Sequence, residues 1–181
     1  MKVLIDANVL FPTVLREVTL GVAETGAFHP LWSARILEEW RRAGARLGPL
    51  DAEISAGEIA RLAVRFPKAE VQSAPETEAR LSLPDPDDVH VLAAAIDGGA
   101  GDLLTLNTRD FPLRVLNAEG VARRHPDEFL LEAYHADPAR ISQVVKRVAD
   151  QARAHGIEVK SLRHLMKRAR LPRLGKALDQ V

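Results

Sequence analysis

The sequence contains no cysteine, which excludes disulfides, thiolate metal ligands and cysteine nucleophiles. It has no run approaching about 18 uninterrupted apolar residues, so no membrane-spanning helix is expected. The first residues pass directly into a strand-like segment, KVLI, without the basic, apolar and small-residue succession of a secretion signal. A soluble cytoplasmic protein is expected. Internal repeats and low-complexity segments are also missing. What remains is 181 residues, 46% of them hydrophobic, enough for one ordinary domain with a small appendage.

The formal net charge is zero, but it is unevenly spread. Residues 1–138 hold 14 Lys and Arg against 22 Asp and Glu, and residues 139–181 hold 11 against 3. An acidic body with a basic tail implies two roles, or a tail that docks on the body or on a polyanion. A solvated amphipathic helix is the alternative reading of the tail.

Along the chain, strand and helix signals alternate. KVLI reads as a buried strand, 14–25 as a helix stopped by Gly26, and HPLWS as a short strand. Ser33 begins a helix through about Leu47, ended by Gly48-Pro49, and 51–65 forms another. KAEVQS reads as a strand, DPDDVHVLAAAIDGG as a helix, DLLTL as a strand and LRVLN as an edge strand. This alternation predicts a parallel α/β sheet. The tail differs. Asp137-Pro138 reads as a helix start, and Ile141, Val144, Val145, Val148 and Ala152 follow helical spacing up to Gly156. Ser161 starts a shorter helix broken at Pro172. The expected division is an α/β body over 1–120 and a helical extension over 121–181.

The buried strand KVLI ends in a carboxylate, Asp6. In open parallel sheets, ligands bind outside the carboxyl ends of the strands, so other acids that reach that rim matter. In SARILEEWRRAGARL, Ile36, Trp40, Ala43 and Leu47 form one apolar stripe. Glu38 lies nearly opposite it and should face water, whereas Glu39 borders it and can reach inward. Taken alone, Glu39 also reads as a solvated helix glutamate. In DPDD, Asp85 fits an N-cap and Asp88 the third helical position, which capping alone can explain. The helix behind is apolar nearly all round, so Asp88 enters at a buried edge and needs a partner. His90 reads as a core or groove histidine. DLLTLNTRDF places Thr105, Asn107 and Asp110 just past a strand end, where a turn is the alternative. Several carboxylates at one rim are stable only when protons or a cation neutralise them. All-oxygen ligands without cysteine point to Mg²⁺ or Mn²⁺, and such a site fits phosphodiester hydrolysis.

These motifs resemble the PIN domain family, in particular the nucleases of VapC-type toxins. The resemblance rests on DANVL from Asp6, SARILEE with Glu39, DPDDVHVLAAA with Asp88, and TLNTRDF with Asn107 and Asp110, in that order over about 1–117. The tail is similar to the helical extension of some VapC-like proteins. The resemblance implies a three-layer α/β/α fold with a parallel sheet of four to five strands. It implies a metal-dependent endoribonuclease, homodimeric and inhibited by a cognate antitoxin. Carried over here, Asp6, Glu39 and Asp88 form the Mg²⁺- or Mn²⁺-binding core, and Asp110 can supply a fourth carboxylate. The family often has an acid where this chain has Asn107, whose amide oxygen can ligate or hold a water. Arg109, Lys167, Arg168 and Arg170 are candidates for RNA contacts. A PIN-like binding module that has lost activity is the rival reading, with Asn107 in its favour. A phosphatase of the haloacid-dehalogenase type fits poorly, because Asn8 stands where its second aspartate would be.

Overall fold

Val3, Leu4 and Ile5 have no solvent exposure, as expected of a strand covered on both faces. They belong to the centre of a parallel sheet in the computed structural model, which describes residues 1–179. β1 (Lys2–Ile5) is followed by a single turn, α1 (Ala7–Leu10), and by α2 (Thr13–Glu24). β2 (His29–Ser33) leads into α3 (Ala34–Leu47) and α4 (Pro49–Arg65). β3 (Glu70–Val71) and α5 (Pro75–Arg80) precede a 3-10 turn at Pro86–Asp88, which runs into α6 (Val89–Gly98). β4 (Asp102–Leu104), α7 (Leu113–Ala118) and β5 (Ala122–Arg124) follow. Then come α8 (Pro126–Ala136), α9 (Pro138–Ala154), α10 (Leu162–Arg168) and α11 (Pro172–Leu178). All strand pairs are parallel, in the order β3-β2-β1-β4-β5. No described helix is long and apolar enough to cross a membrane.

By packing, the described chain groups into two compact units. The first joins Met1–Phe11 with His29–Arg124, and the second joins Pro12–Phe28 with the residues from His125 onward. A single boundary near residue 120 does not describe this grouping, because α2 goes with the C-terminal helices.

In the first unit, α6 packs along the sheet strands with Val91, Leu92, Ala93, Ala94 and Ala95 all fully buried. It ends at Gly99, whose φ of 67° is the left-handed conformation of a helix C-cap. α3 packs on α4, and the approach is too close for a side chain at Gly44, where a Cβ would collide with Ser55 Oγ. That approach turns the buried stripe of α3 to Ile36, Trp40 and Gly44 and leaves Leu47 66% exposed. The expected continuation of the stripe through Leu47 is therefore corrected.

LRVLN is a second correction. It is a helical turn, α7, entered from Pro112, and it buries Leu116. The fifth strand is ARR, Ala122–Arg124, paired on β4 at the sheet edge. Arginines suit an edge strand, and they carry no apolar alternation to announce it.

In the second unit, Ile141, Val144, Val145, Val148 and Ala152 are all buried, as the spacing predicts. α9 packs these residues against α2, α8 and α10. Gly21 lets α2 approach α9, since a Cβ there would lie 2.7 Å from Val144 Cγ1. Phe28 meets Phe129 edge to face at 5.1 Å. Asp127, 3% exposed, accepts the backbone N–H groups of Arg173 (2.9 Å) and Leu174 (3.0 Å). It thereby caps the first turn of α11 from another helix.

Candidate active site

The strand order reverses between β1 and β4. The chain moves outward from β1 to β3, then returns to place β4 on the other side of β1. Such a switch point opens a crevice at the carboxyl ends of the two strands. Register makes it specific: Ile5 pairs with Leu104, so the next residues, Asp6 and Thr105, stand side by side. Thr105 Oγ1 donates to Asp6 Oδ2 at 2.6 Å. Asn8 Nδ2 donates to the same oxygen at 2.5 Å and to Thr105 Oγ1 at 3.1 Å. Asn8 Oδ1 in turn accepts Leu106 N at 2.9 Å. Asp6 is 5% exposed and Thr105 fully buried. Burial raises the Asp6 pKa above the usual carboxylate range; the Thr105 hydrogen bond opposes the rise and the Glu39 charge adds to it.

The loop after β4 brings the next members. Asn107 Nδ2 donates to Asp110 Oδ2 at 2.9 Å and to Asp88 Oδ2 at 3.2 Å. With acceptor-only carboxylates on that side, the amide presents its nitrogen. Asn107 thus clips two acids together through its amide nitrogen, while its Oδ1 accepts the backbone N–H of Asp110 at 3.4 Å. Arg123 Nη1 donates to the Phe111 carbonyl at 2.8 Å and also to that of Thr108, which fixes the loop to β5. Arg109 is exposed on this loop.

The 3-10 turn before α6 supplies Asp85 and Asp88. Asp85 Oδ1 accepts Asp87 N at 2.9 Å, as an N-cap does. Yet carboxylate oxygens of Asp85, Asp88 and Asp110 also lie within 4.8 Å of one another. Asp88 is half-buried, and its pKa is pushed up to about 6 by burial and then by the charges of Asp6, Asp85, Asp110 and Glu39. Each of these causes raises it, and Asp88 makes no ion pair among the described residues. One carboxyl group therefore feels four other acids, which come from the end of β1, from α3, from the cap of the 3-10 turn and from the loop after β4.

From α3, Glu39 Oε1 lies 2.5 Å from Nε2 of the buried His90. Glu38 pairs with Arg41 and Arg42 at 2.6 and 2.8 Å, and its side chain, 35% exposed, is about as open to solvent as that of Glu39, at 36%. Ser33 is the N-cap of α3, accepting Ile36 N at 3.2 Å. Lys167, Arg168 and Arg170 are exposed in the second unit.

A family model of the PIN domain matches residues 2–109. The chain belongs to the PIN domain family. PIN domains are generally nucleases, so a nucleic acid is the implied substrate, and this one carries an acidic cluster at its sheet crevice. No curated protein and no solved structure matches the chain. Within this PIN domain, sequence reasoning passed over three residues at the site. Asp85 read as a cap, and it is one, since the residue types for capping and cation binding coincide. Its spacing of three from Asp88 across a proline turn was the available signal. Asn8 lies two residues from Asp6, but its other partners, Thr105 and Leu106, are distant in sequence, as Glu39 is from His90, so neither had a local signal.

Proposed function

We propose that this PIN domain protein is a Mg²⁺- or Mn²⁺-dependent endoribonuclease and the toxin of a type II toxin–antitoxin pair. The observation that supports the metal dependence is the approach of Asp85, Asp88 and Asp110 within 4.8 Å, with the charges of Asp6 and Glu39 also acting on Asp88, which makes no ion pair among the described residues. An all-oxygen, all-carboxylate donor set fits a hard divalent cation. Asp6, Glu39, Asp88 and Asp110 would hold it, with Asp85 joining Asp88 and Asp110. Asn107 would steady the last two through its amide nitrogen. When bound, the cation supplies a Lewis acid and lowers the pKa of an attacking water.

The protein's own groups prepare the site. Thr105 and Asn8 hold Asp6 in one orientation, and Arg123 keeps the loop of Asn107 and Asp110 in place. Arg109 would offer a phosphate contact beside the acids, and Lys167, Arg168 and Arg170 further contacts along the RNA. The toxin role, a homodimer and inhibition by an antitoxin rest on the resemblance to VapC-type proteins. A catalytically weak binding module is the second reading, favoured by the uncharged Asn107.

The test is cleavage of single-stranded RNA by the purified protein with Mg²⁺ or Mn²⁺. Cleavage should stop in excess EDTA, and Asp6→Ala should abolish both cleavage and Mn²⁺ binding. Full activity in EDTA overturns the metal-dependent reading, and metal binding without cleavage favours the binding module.

A further inference from the structure

His90 is the second residue of α6 and is 1% exposed. Buried polar atoms ordinarily find partners, yet only one of its two ring nitrogens does. Nε2 lies 2.5 Å from Glu39 Oε1, while Nδ1 is buried with no partner among the described residues. An ionised carboxylate only accepts, so Nε2 carries a proton and donates it to Glu39. The following residues of α6 are Val91, Leu92 and Ala93. Packing alone would be served by another aliphatic side chain, without an unpartnered ring nitrogen in the core.

Glu39 is in the opposite situation. Its side chain is 36% exposed, a long side chain with considerable rotamer freedom. Among the described residues, His90 is its sole hydrogen-bond partner, which leaves Oε2 free. Glu39 nevertheless lies close enough to Asp6 and Asp88 for its charge to oppose theirs. His90 reaches it from a point two residues past Asp88, so the bond ties an acid on α3 to the helix whose N-cap is Asp88.

We infer that His90 is a positioning residue, whose Nε2–H fixes Oε1 of Glu39 so that Oε2 faces the acidic cluster ready for a cation. The inference rests on the divalent-cation reading above. His90 itself touches neither cation nor RNA in this role. It acts by removing the rotamer freedom that Glu39 would otherwise lose on binding the ion, in the manner of outer groups that orient metal ligands.

The experiment is titration of the full-length protein with Mn²⁺, followed by the paramagnetic resonance of the free ion. Circular dichroism on the same samples confirms folding. His90→Leu should weaken Mn²⁺ binding by roughly tenfold or more, the usual scale for loss of an orienting partner. His90→Asn, whose amide ends short of Glu39, should be as weak, and it stands in if the leucine variant fails to fold. His90→Gln carries an N–H near the position of Nε2 and should recover binding to within about threefold of wild type. In a Glu39→Ala background, His90→Leu should cost no further affinity. Equal weakness of the glutamine and leucine variants overturns the inference. So does an undiminished effect of His90→Leu without Glu39, or wild-type affinity in His90→Leu. Failure of the wild type to bind Mn²⁺ overturns the cation reading itself, and this inference with it.

Discussion

Burial and then the charges of four neighbouring acids raise the pKa of Asp88, and that makes it a pH reporter for the cluster. Its pKa is about 6 in the folded protein against an ordinary 3.8. A raised carboxyl pKa means the folded state holds the proton more tightly than the unfolded chain does. The associated stability is complete below the ordinary value and is lost as pH rises through the folded one. Cation-free protein should therefore lose stability between about pH 4 and pH 6 through this group. Asp88→Asn cannot ionise, so its melting temperature should gain on that of wild type across this interval. Calorimetry in EDTA, read as the difference between the two proteins, isolates the effect from the other carboxylates. A constant difference from about pH 4 to pH 7 would show that Asp88 does not feel its neighbours. Saturating Mn²⁺ should reverse the ranking above the folded pKa, where the carboxylate is ionised and the cation takes over the proton's role.

At the scale of elements, the cap that Asp127 places on α11 is the sharpest case. Two backbone N–H groups of α11 depend on one buried carboxylate from α8. Asp127→Ala leaves both donors without their acceptor and should lower the unfolding free energy by about 2 kcal/mol in urea denaturation. Mn²⁺ affinity should not change, since no acid of the cluster belongs to these helices. Elements differ in how much of this was legible. The strand KVLI and the stripe of α9 could be read directly, because burial imposes a period that the sequence must carry. LRVLN fits either period over its five residues, and the entry from Pro112 tipped it to helix. β5 is three residues long with two arginines, so no hydrophobic pattern marks it. Of the candidate residues, Asp6, Glu39, Asp88 and Asp110 were legible as acids at strand ends or at the border of a buried face. Asp85 was concealed by its second use as a cap. The link from His90 to Glu39 spans 51 residues of sequence, a pairing that local pattern cannot encode.

For the molecule as a whole, the even net charge conceals an acidic cluster in the first unit and an arginine- and lysine-rich end in the second. Reversing Lys167, Arg168 and Arg170 to glutamate should weaken RNA binding without unfolding the protein. The log–log salt slope should flatten by about 0.7 for each phosphate of a single strand that is no longer neutralised. Unchanged affinity and slope in filter binding across a salt series would remove these residues from the RNA surface. The grouping of α2 with the C-terminal helices bears on how the protein is made. α2 leaves the ribosome long before α8 and α9, the helices it packs on. At about 5–20 residues per second, the delay is on the order of ten seconds. Throughout that interval the nascent chain carries Leu15, Val18, Leu20 and Val22 on a helix whose partners α8 and α9 have not yet been made. A chain halted at Arg124 would have every acid of the cluster and still leave that helix stranded, a natural target for a chaperone.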